Sequence, residues 1–164
     1  MFERGRDTMD VYVIRHGKAE QDSQSGLDRD RVLKKKGHKQ AEWIAEQLHT
    51  RDPKPALVLS SPYPRAKETA APIWDALGMH AQIDDRLGAE RSLSDMIDLL
   101  HDARGSGCVA IIGHNPTCAR LVSALCNGLT TMPGGHRTGE VAHVRIDGDE
   151  LIGGGSLIER FRME

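Results

Sequence analysis

Long apolar runs are absent from this sequence, and neither sign of charge is in large excess. No stretch approaches the ~20 apolar residues of a transmembrane helix, and residues 1–10 lack the apolar segment of a signal peptide. Lys and Arg number 22 against 24 Asp and Glu, a net charge of −2, which argues against a general nucleic-acid binder. We therefore expect a cytoplasmic protein with neither a membrane nor a nucleic-acid partner.

Cysteine is also scarce. The three cysteines, Cys108, Cys118 and Cys126, are odd in number and widely spaced, a pattern that matches neither a disulfide framework nor a zinc site. Cys118 shares a helical apolar stripe with Leu121 and Leu125, and we predict that it is a buried core thiol.

The residues that are present suffice for one globular domain. The chain has 164 residues, of which 38% are hydrophobic and 28% charged. A chain of this size buries roughly 70% of its unfolded surface, which allows a self-sufficient core. We expect residues 1–9 to form a loose tail and residues 10–164 a single domain.

Short apolar runs alternate with helical patterns. Strands are predicted at 11–14, 56–59, 108–112 and 141–146, with a weak strand at 81–83 and an antiparallel return within 151–161. Helices are predicted over 37–51, 62–77 and 93–100, and after Asn115-Pro116. Pro72 should kink or split the second helix, and Gly78 should end it. This order predicts a three-layer α/β/α fold with a mostly parallel central sheet and an antiparallel edge.

Polar residues directly follow three predicted strands. RHG follows the first strand at 15–17, SSPYPR follows the second at 60–65, and GHNP follows the third at 113–116. In open α/β sheets, ligands bind at the carboxyl ends of the strands. If these strands are parallel and adjacent, two arginines and two histidines share one crevice: Arg15, His16, Arg65 and His114.

Such a crevice suits a phosphoryl group. Arginine matches phosphate oxygens with a rigid fork, and a helix N-terminus at Asn115 adds a favourable dipole. A histidine kept neutral by nearby cations can act as a nucleophile. The arginines would repel a divalent cation and no carboxylate accompanies the histidines, so we expect no metal. Two interpretations of His136 stay open: it lies in the glycine-rich loop 127–139, which either borders the site or, as we prefer, gives this histidine no functional role.

These motifs resemble those of the histidine phosphatase superfamily, and most of all its small bacterial branch, the SixA-type phosphohistidine phosphatases. RHG is the signature of the superfamily, RVLKKKG at 31–37 resembles its RPLTxxG turn, and SSPYPRAKETA at 60–70 resembles its second block. DRL at 85–87 and GHNP at 113–116 resemble the later blocks. The resemblance spans roughly residues 10–147 and implies a phosphoglycerate-mutase-like fold.

The resemblance implies a role for each matching residue. His16 would attack phosphorus and become a transient phosphohistidine. Arg15 and Arg65 would clamp the phosphoryl oxygens, and His114, protonated once phosphate is bound, would stabilise the developing charge. No metal or organic cofactor is implied, and phosphate or sulfate would fit the site.

Other positions near the site leave alternatives open. Ser61 either contacts phosphate or caps the following helix, and Asn115 is a further candidate for phosphate binding. Val32 and Lys34 stand where the family has proline and threonine, so the shape of that loop is in question.

A carboxylate general acid is not evident. Larger family members supply one from a long insertion, whereas this chain offers only Asp84, Asp85 and Glu90 nearby, and Glu90 is the candidate we retain. A missing acid matters least for phosphohistidine, whose imidazole leaving group protonates easily.

Three functions are compatible with these residues. The first is a phosphohistidine phosphatase that acts on a phosphorylated protein. The second is a phosphatase or mutase of a small phosphorylated metabolite, and the third is a non-catalytic phosphate-binding module.

Four lysines, Lys34–Lys36 and Lys39, lie at the start of a predicted helix. They form either a solvated face or a docking surface for an acidic partner.

Overall fold

The computed structural model describes residues 8–130 and 132–164, which contain a five-stranded sheet covered by helices. The strands are β1 (Thr8–Arg15), β2 (Leu57–Ser60), β3 (Cys108–Gly113), β4 (Val141–Asp147) and β5 (Gly155–Phe161). The helices are α1 (Lys35–Thr50), α2 (Pro64–Ala76), α3 (Leu93–Ala103) and α4 (Thr117–Asn127).

The strand order in the sheet is β2-β3-β1-β4-β5. β1 and β2 both run parallel to β3, whereas β4 is antiparallel to β1 and β5 is antiparallel to β4. The parallel strands carry crossover helices, and the last two strands return without a helix between them. The predicted α/β fold with an antiparallel edge is confirmed.

Alternate side chains of β1 enter two separate cores. Val11 and Val13 pack with residues of α3 and α4, while Tyr12 and Ile14 pack with residues of α1 and α2. Successive side chains of a strand point to opposite faces, so a strand covered on both faces must be apolar at every position. This is why residues 11–14 of β1 form a continuous apolar run.

The first strand begins earlier than expected. Thr8 and Met9 belong to β1, and Met9, only 1% exposed, pairs with Ile146 of β4. The predicted tail of residues 1–9 is therefore wrong at its last two positions, because Met9 adds an apolar side chain to the core. Residues 1–7 lie outside the described part of the chain.

The weak strand expected at 81–83 does not form. A single isolated bridge joins Ile83 to Ser60. Residues 81–83 are exposed, Ile83 by 43%, so they offer no buried face that would extend the pairing.

Helix α2 differs from expectation at its start and its middle. It begins at Pro64, with Tyr63 as N-cap, so Ser61 does not cap it. Proline is tolerated at the first helical position because its missing N–H has no intrahelical partner there. The helix also runs unbroken through Pro72, so the predicted split is wrong; Ile73, buried beside it, packs into the core and holds the helix in place.

The end of α2 follows the prediction. Gly78 has a φ of +67°, and its N–H donates to the carbonyl of Asp75 at 3.1 Å. The N–H of Met79 donates to the carbonyl of Trp74 at 2.8 Å, which completes a Schellman motif. Glycine suits this position because it adopts a positive φ without steric cost.

Cys118 lies in the same core as Val11 and Val13. Cys118 is fully buried, and burial raises the pKa of its thiol to about 12, so the predicted core thiol is confirmed.

Within residues 8–130 and 132–164, no helix has the length and apolar character needed to cross a membrane.

Candidate active site

The carboxyl ends of β1, β2 and β3 meet at one edge of the sheet. Arg15 pairs with Gly113, and Ser60 pairs with Ile112. The N–H of His16 then donates to the carbonyl of Gly113 at 3.1 Å. The three polar segments that follow these strands therefore lie side by side, as the sequence predicted.

His16 is buried and held as one tautomer. Its Nδ1 lies 2.7 Å from the carbonyl oxygen of Gly17, and since a carbonyl only accepts, Nδ1 carries the proton. The lone pair is therefore on Nε2, to which Nε of Arg65 donates at 3.3 Å. Burial and the charges of Arg65 and Arg15 lower the pKa of His16 to about 4, so the imidazole is neutral at pH 7.

Arg65 is held on both sides of its guanidinium. Besides His16, it contacts Asp28: Nη1 donates to the backbone carbonyl at 2.8 Å and Nη2 to the carboxylate at 3.2 Å. Asp28 also pairs with Arg31 at 2.7 Å, and the hydrogen bonds from Arg31 and Arg65 hold the pKa of the Asp28 carboxyl below its usual range. Sequence reasoning missed Asp28, because a lone aspartate in a polar loop carries no pattern.

His114 faces His16 across the site. Their ring centroids are 5.2 Å apart, and Nε2 of His114 lies 2.8 Å from Oγ of Ser61. Burial and the charges of His16 and Arg65 lower the pKa of His114 to about 3. His114 is thus neutral here, and only the negative charge of a bound phosphoryl group could restore the protonated state that the resemblance implied.

Ser61 connects the segment after β2 to His114. Its hydroxyl oxygen accepts the N–H of Tyr63 at 3.1 Å while it contacts His114. Of its two expected roles, capping is wrong, and the structure instead places the side chain against the second histidine. A hydroxyl that donates to Nε2 leaves the proton of His114 on Nδ1.

Arg15 and Asn115 share one carbonyl group. Nη1 of Arg15 and Nδ2 of Asn115 donate to the backbone oxygen of His136, at 3.2 and 2.7 Å. Oδ1 of Asn115 accepts the N–H of Ala119 at 3.3 Å, so this side chain ties the loop to the first turn of α4. Both polar ends of Asn115 are engaged by the protein, which weakens the expectation that it binds phosphate.

The structure brings His136 to the site, which was the less favoured of its two interpretations from the sequence. The residue is buried, and its ring contacts the carbonyl oxygen of Glu140 at 2.9 Å. Its contribution is the backbone oxygen that positions Arg15, and backbone contacts leave no trace in the residue type.

The loop that carries His16 is anchored by buried side chains. The N–H of Gly17 donates to Oγ1 of Thr69 at 3.0 Å, and the N–H of Lys18 donates to Oε1 of Gln40 at 2.8 Å. Thr69 lies in the ETA portion of the second sequence block, whereas nothing in the sequence pattern indicated Gln40.

Three buried polar atoms of the site have no hydrogen-bond partner within the described residues, namely Nε of Arg15, Nδ1 of His114 and Nδ1 of His136. Buried polar groups are normally satisfied, so unpartnered ones at one site indicate a polar ligand. In the described part of the chain, no three His, Cys, Asp or Glu residues are grouped so that they could hold a metal ion. The arrangement of cations and nitrogen atoms fits the oxygens of a phosphoryl group.

Glu90 has an environment unlike that of a general acid. Its carboxylate is exposed and accepts a hydrogen bond from the hydroxyl of Tyr63, which lowers the pKa of Glu90. Asp84 is engaged by Arg86, which lowers the pKa of its carboxyl as well. General acids need a raised pKa at neutral pH, so neither carboxylate is suited to protonate a leaving group.

Comparisons with known proteins identify the family of this chain. Residues 11–105 match the model of the histidine phosphatase superfamily (branch 1). The chain is 31% identical over 144 residues to the phosphohistidine phosphatase SixA of Escherichia coli, which covers 85% of this chain and 86% of that protein. An uncharacterised protein of Picosynechococcus is 30% identical over 125 residues, covering 74% of this chain and 76% of its own.

Solved structures show the same fold. The protein histidine phosphatase SixA complexed with tungstate is 26% identical and superposes with a TM-score of 0.80, covering 94% of this chain and 97% of that one. The putative phosphohistidine phosphatase SixA of Agrobacterium tumefaciens, also 26% identical, has a TM-score of 0.78 and covers 93% and 97%.

Proposed function

Because the chain belongs to branch 1 of the histidine phosphatase superfamily, we propose that it is a phosphohistidine phosphatase acting on another protein. The observation that carries the proposal is the state of His16, whose Nδ1 proton is held by Gly17 while Nε2 keeps its lone pair beside Arg65. The 31% identity to the phosphohistidine phosphatase of Escherichia coli supports this choice of substrate.

In the first step, Nε2 of His16 attacks phosphorus. A bond forms between Nε2 and phosphorus, the P–N bond of the substrate phosphohistidine breaks, and its electron pair stays with the departing imidazole. The attack makes the His16 ring cationic, and the Gly17 carbonyl that accepts the Nδ1 proton stabilises this charge. Arg15 and Arg65 balance the negative phosphoryl oxygens.

In the second step, water hydrolyses the phosphoenzyme. The water oxygen attacks phosphorus, the bond to Nε2 breaks, and both water protons leave with dihydrogen phosphate. His16 returns to its neutral tautomer with the proton still on Nδ1. His114, whose ring lies 5.2 Å from that of His16, is placed to stabilise charge on the phosphoryl oxygens in both steps.

The surroundings of Glu90 support a phosphohistidine substrate over an alcohol ester. An alkoxide leaving group needs a proton donor, and Glu90 is held in its anionic form by Tyr63. The imidazole of phosphohistidine departs as a neutral molecule whenever its other ring nitrogen already carries a proton. Such a substrate requires no carboxylic acid from the enzyme.

The experiment is phosphate release from a phosphohistidine peptide in the presence of EDTA. We expect release by the wild type and none by His16→Ala, with His80→Ala, a change at an exposed histidine, as the matched control. Acid-sensitive labelling of the wild type by the substrate, absent from His16→Ala, is expected for the covalent intermediate.

A panel of small phosphate esters runs beside the peptide. Faster turnover of an alkyl ester than of the peptide would replace the proposal by a metabolite phosphatase. Equal release by the wild type and His16→Ala would show that His16 is not the nucleophile. Loss of activity in EDTA would show that a metal takes part.

A further inference from the structure

Five lysines form a ridge beside the loop that carries His16. We call them the lysine ridge: Lys18, Lys34, Lys35, Lys36 and Lys39. All are exposed except Lys34, which is half-buried. Within residues 8–130 and 132–164, none of the five forms an ion pair.

The ridge adjoins the site through backbone hydrogen bonds. The N–H of Lys34 donates to the carbonyl of Lys18 at 2.9 Å, which joins the start of α1 to the loop after His16. Lys18 is two residues from His16, so their Cα atoms are at most ~7.6 Å apart. A protein whose phosphohistidine reaches His16 therefore comes close to this surface.

Local structure gives no reason for these lysines. Lys34 is the N-cap of α1, and Lys35 and Lys36 are its first two residues, with no acidic residue in the first turn. Cations at a helix N-terminus oppose the helix dipole, and Lys35 and Lys39 repel each other at a spacing of four residues. Violations of local preference that nothing nearby compensates are characteristic of functional surfaces.

Several arginines of the described residues, unlike these lysines, form ion pairs. Arg51 pairs with Glu159, Arg86 with Asp84, and Arg91 with Asp95. Within the described residues no lysine forms an ion pair, so the ridge is distinguished by the clustering of five lysines beside the site. A surface of this kind complements an acidic partner.

We propose that the lysine ridge docks an acidic segment that lies beside the phosphohistidine of the substrate protein. The proposal rests on the proposed function, because it names the partner of the same site. An acidic protein fits better than a nucleic acid, since the whole chain has a net charge of −2 and no aromatic residue lies on the ridge for base stacking.

The test compares two phosphohistidine peptides of equal length, one flanked by four aspartates and one by four serines. We expect the wild type to favour the acidic peptide in kcat/KM by about tenfold at low salt, as for steered association, and less at high salt. In Lys35→Glu/Lys36→Glu the ratio should fall to about one. Lys54→Glu, at an exposed lysine before β2 and thus at the opposite edge of the sheet, should keep the ratio.

Two further readouts separate docking from damage. Hydrolysis of p-nitrophenyl phosphate should change less than threefold in Lys35→Glu/Lys36→Glu. The Tm of this double variant should rise, because glutamate suits a helix N-terminus better than lysine does. A variant that gains stability and loses only the acidic preference cannot be explained by misfolding.

Binding of the unphosphorylated acidic peptide separates this proposal from the proposed function. Tighter binding of the acidic peptide than of the serine peptide by the wild type, lost in Lys35→Glu/Lys36→Glu, supports docking. If neither phosphorylated peptide is hydrolysed in that case, only the proposed function fails. Equal kcat/KM for the two phosphorylated peptides overturns the docking proposal while phosphate release preserves the function. Tighter binding of a single-stranded oligonucleotide than of the acidic peptide at 150 mM salt, roughly physiological ionic strength, also overturns it.

Discussion

Gly17 and Gly37 pack against each other so closely that a Cβ on Gly17 would lie 2.7 Å from the carbonyl oxygen of Gly37. Gly17 follows the proposed nucleophile, and Gly37 lies in the first turn of α1. A Cβ on Gly37 would in turn overlap the carbonyl oxygen of Lys18. Backbone atoms cannot move aside as a flexible side chain can, so this approach determines where His16 is held.

Substitution of Gly37 by alanine is expected to destabilise the protein. Helix propensity alone would make Gly37→Ala favourable by up to ~1 kcal/mol, but overlap with fixed backbone costs about 1–3 kcal/mol and should decide the sign. Urea unfolding measures the change, and phosphatase activity should fall at least tenfold. Gly105→Ala, where a Cβ meets open space, is the control; a stabilised Gly37→Ala would contradict the packing argument.

Removal of the Ser61 hydroxyl is expected to lower kcat more than KM. Ser61 lies 2.8 Å from Nε2 of His114 and orients its ring. A hydrogen bond to a group that becomes charged contributes about 1.5–3 kcal/mol, so its loss corresponds to about 10- to 100-fold in kcat. Steady-state kinetics of Ser61→Ala measure it, with the exposed Ser94→Ala as control. A change confined to KM would show that Ser61 only binds the substrate.

Glu90→Gln is expected to leave phosphohistidine hydrolysis within about threefold of wild type. Its carboxylate is exposed and its pKa is lowered by the hydrogen bond from Tyr63, so it has no proton to give at pH 7. The pH profiles of kcat for Glu90→Gln and the wild type test this expectation. A fall of 100-fold or more, with loss of the basic limb of that profile, would identify Glu90 as the general acid.

Stability is expected to decrease as the pH falls from 7 towards 4. Burial lowers the pKa of His16 to about 4 and that of His114 to about 3, from an ordinary value of 6.5, so the unfolded chain binds protons that the folded chain does not. The contribution of these two histidines to the free energy of unfolding is therefore fully present above pH 6.5. It is lost as the pH falls from 6.5 towards their pKa values in the folded protein. The slope approaches about 1.4 kcal/mol per pH unit for each histidine.

The unfolding free energies of the wild type and of His16→Asn at pH 7 and pH 5 test this dependence. The variant should lose the share of the slope that His16 contributes, whereas His80→Asn, at an exposed position, should retain the wild-type slope. Equal slopes in His16→Asn and the wild type would mean that burial does not depress the pKa of His16.

The sequence alone determined the strands and the polar segments at their ends. β1 and β3 are covered on both faces, so residues 11–14 and 108–112 are unbroken apolar runs, and the polar residues His16 and His114 that follow are conspicuous. The start of the first strand and the effect of Pro72 were predicted less well: Met9 lies inside the strand, and Pro72 lies within an intact helix. In both cases packing into the core outweighs local preference.

Tertiary structure alone decided how the site is held. Asp28 and Arg65 are 37 residues apart, and Arg15 meets the carbonyl of His136 across 121 residues. These contacts depend on the strand order and on the paths of the loops that carry Asp28 and His136. Both contacts reach a backbone carbonyl, which every residue type has, so no sequence pattern marks them. A pattern of side chains can therefore indicate which residues meet at the end of a sheet, but only the folded chain sets the tautomer of His16 and the partners of each arginine.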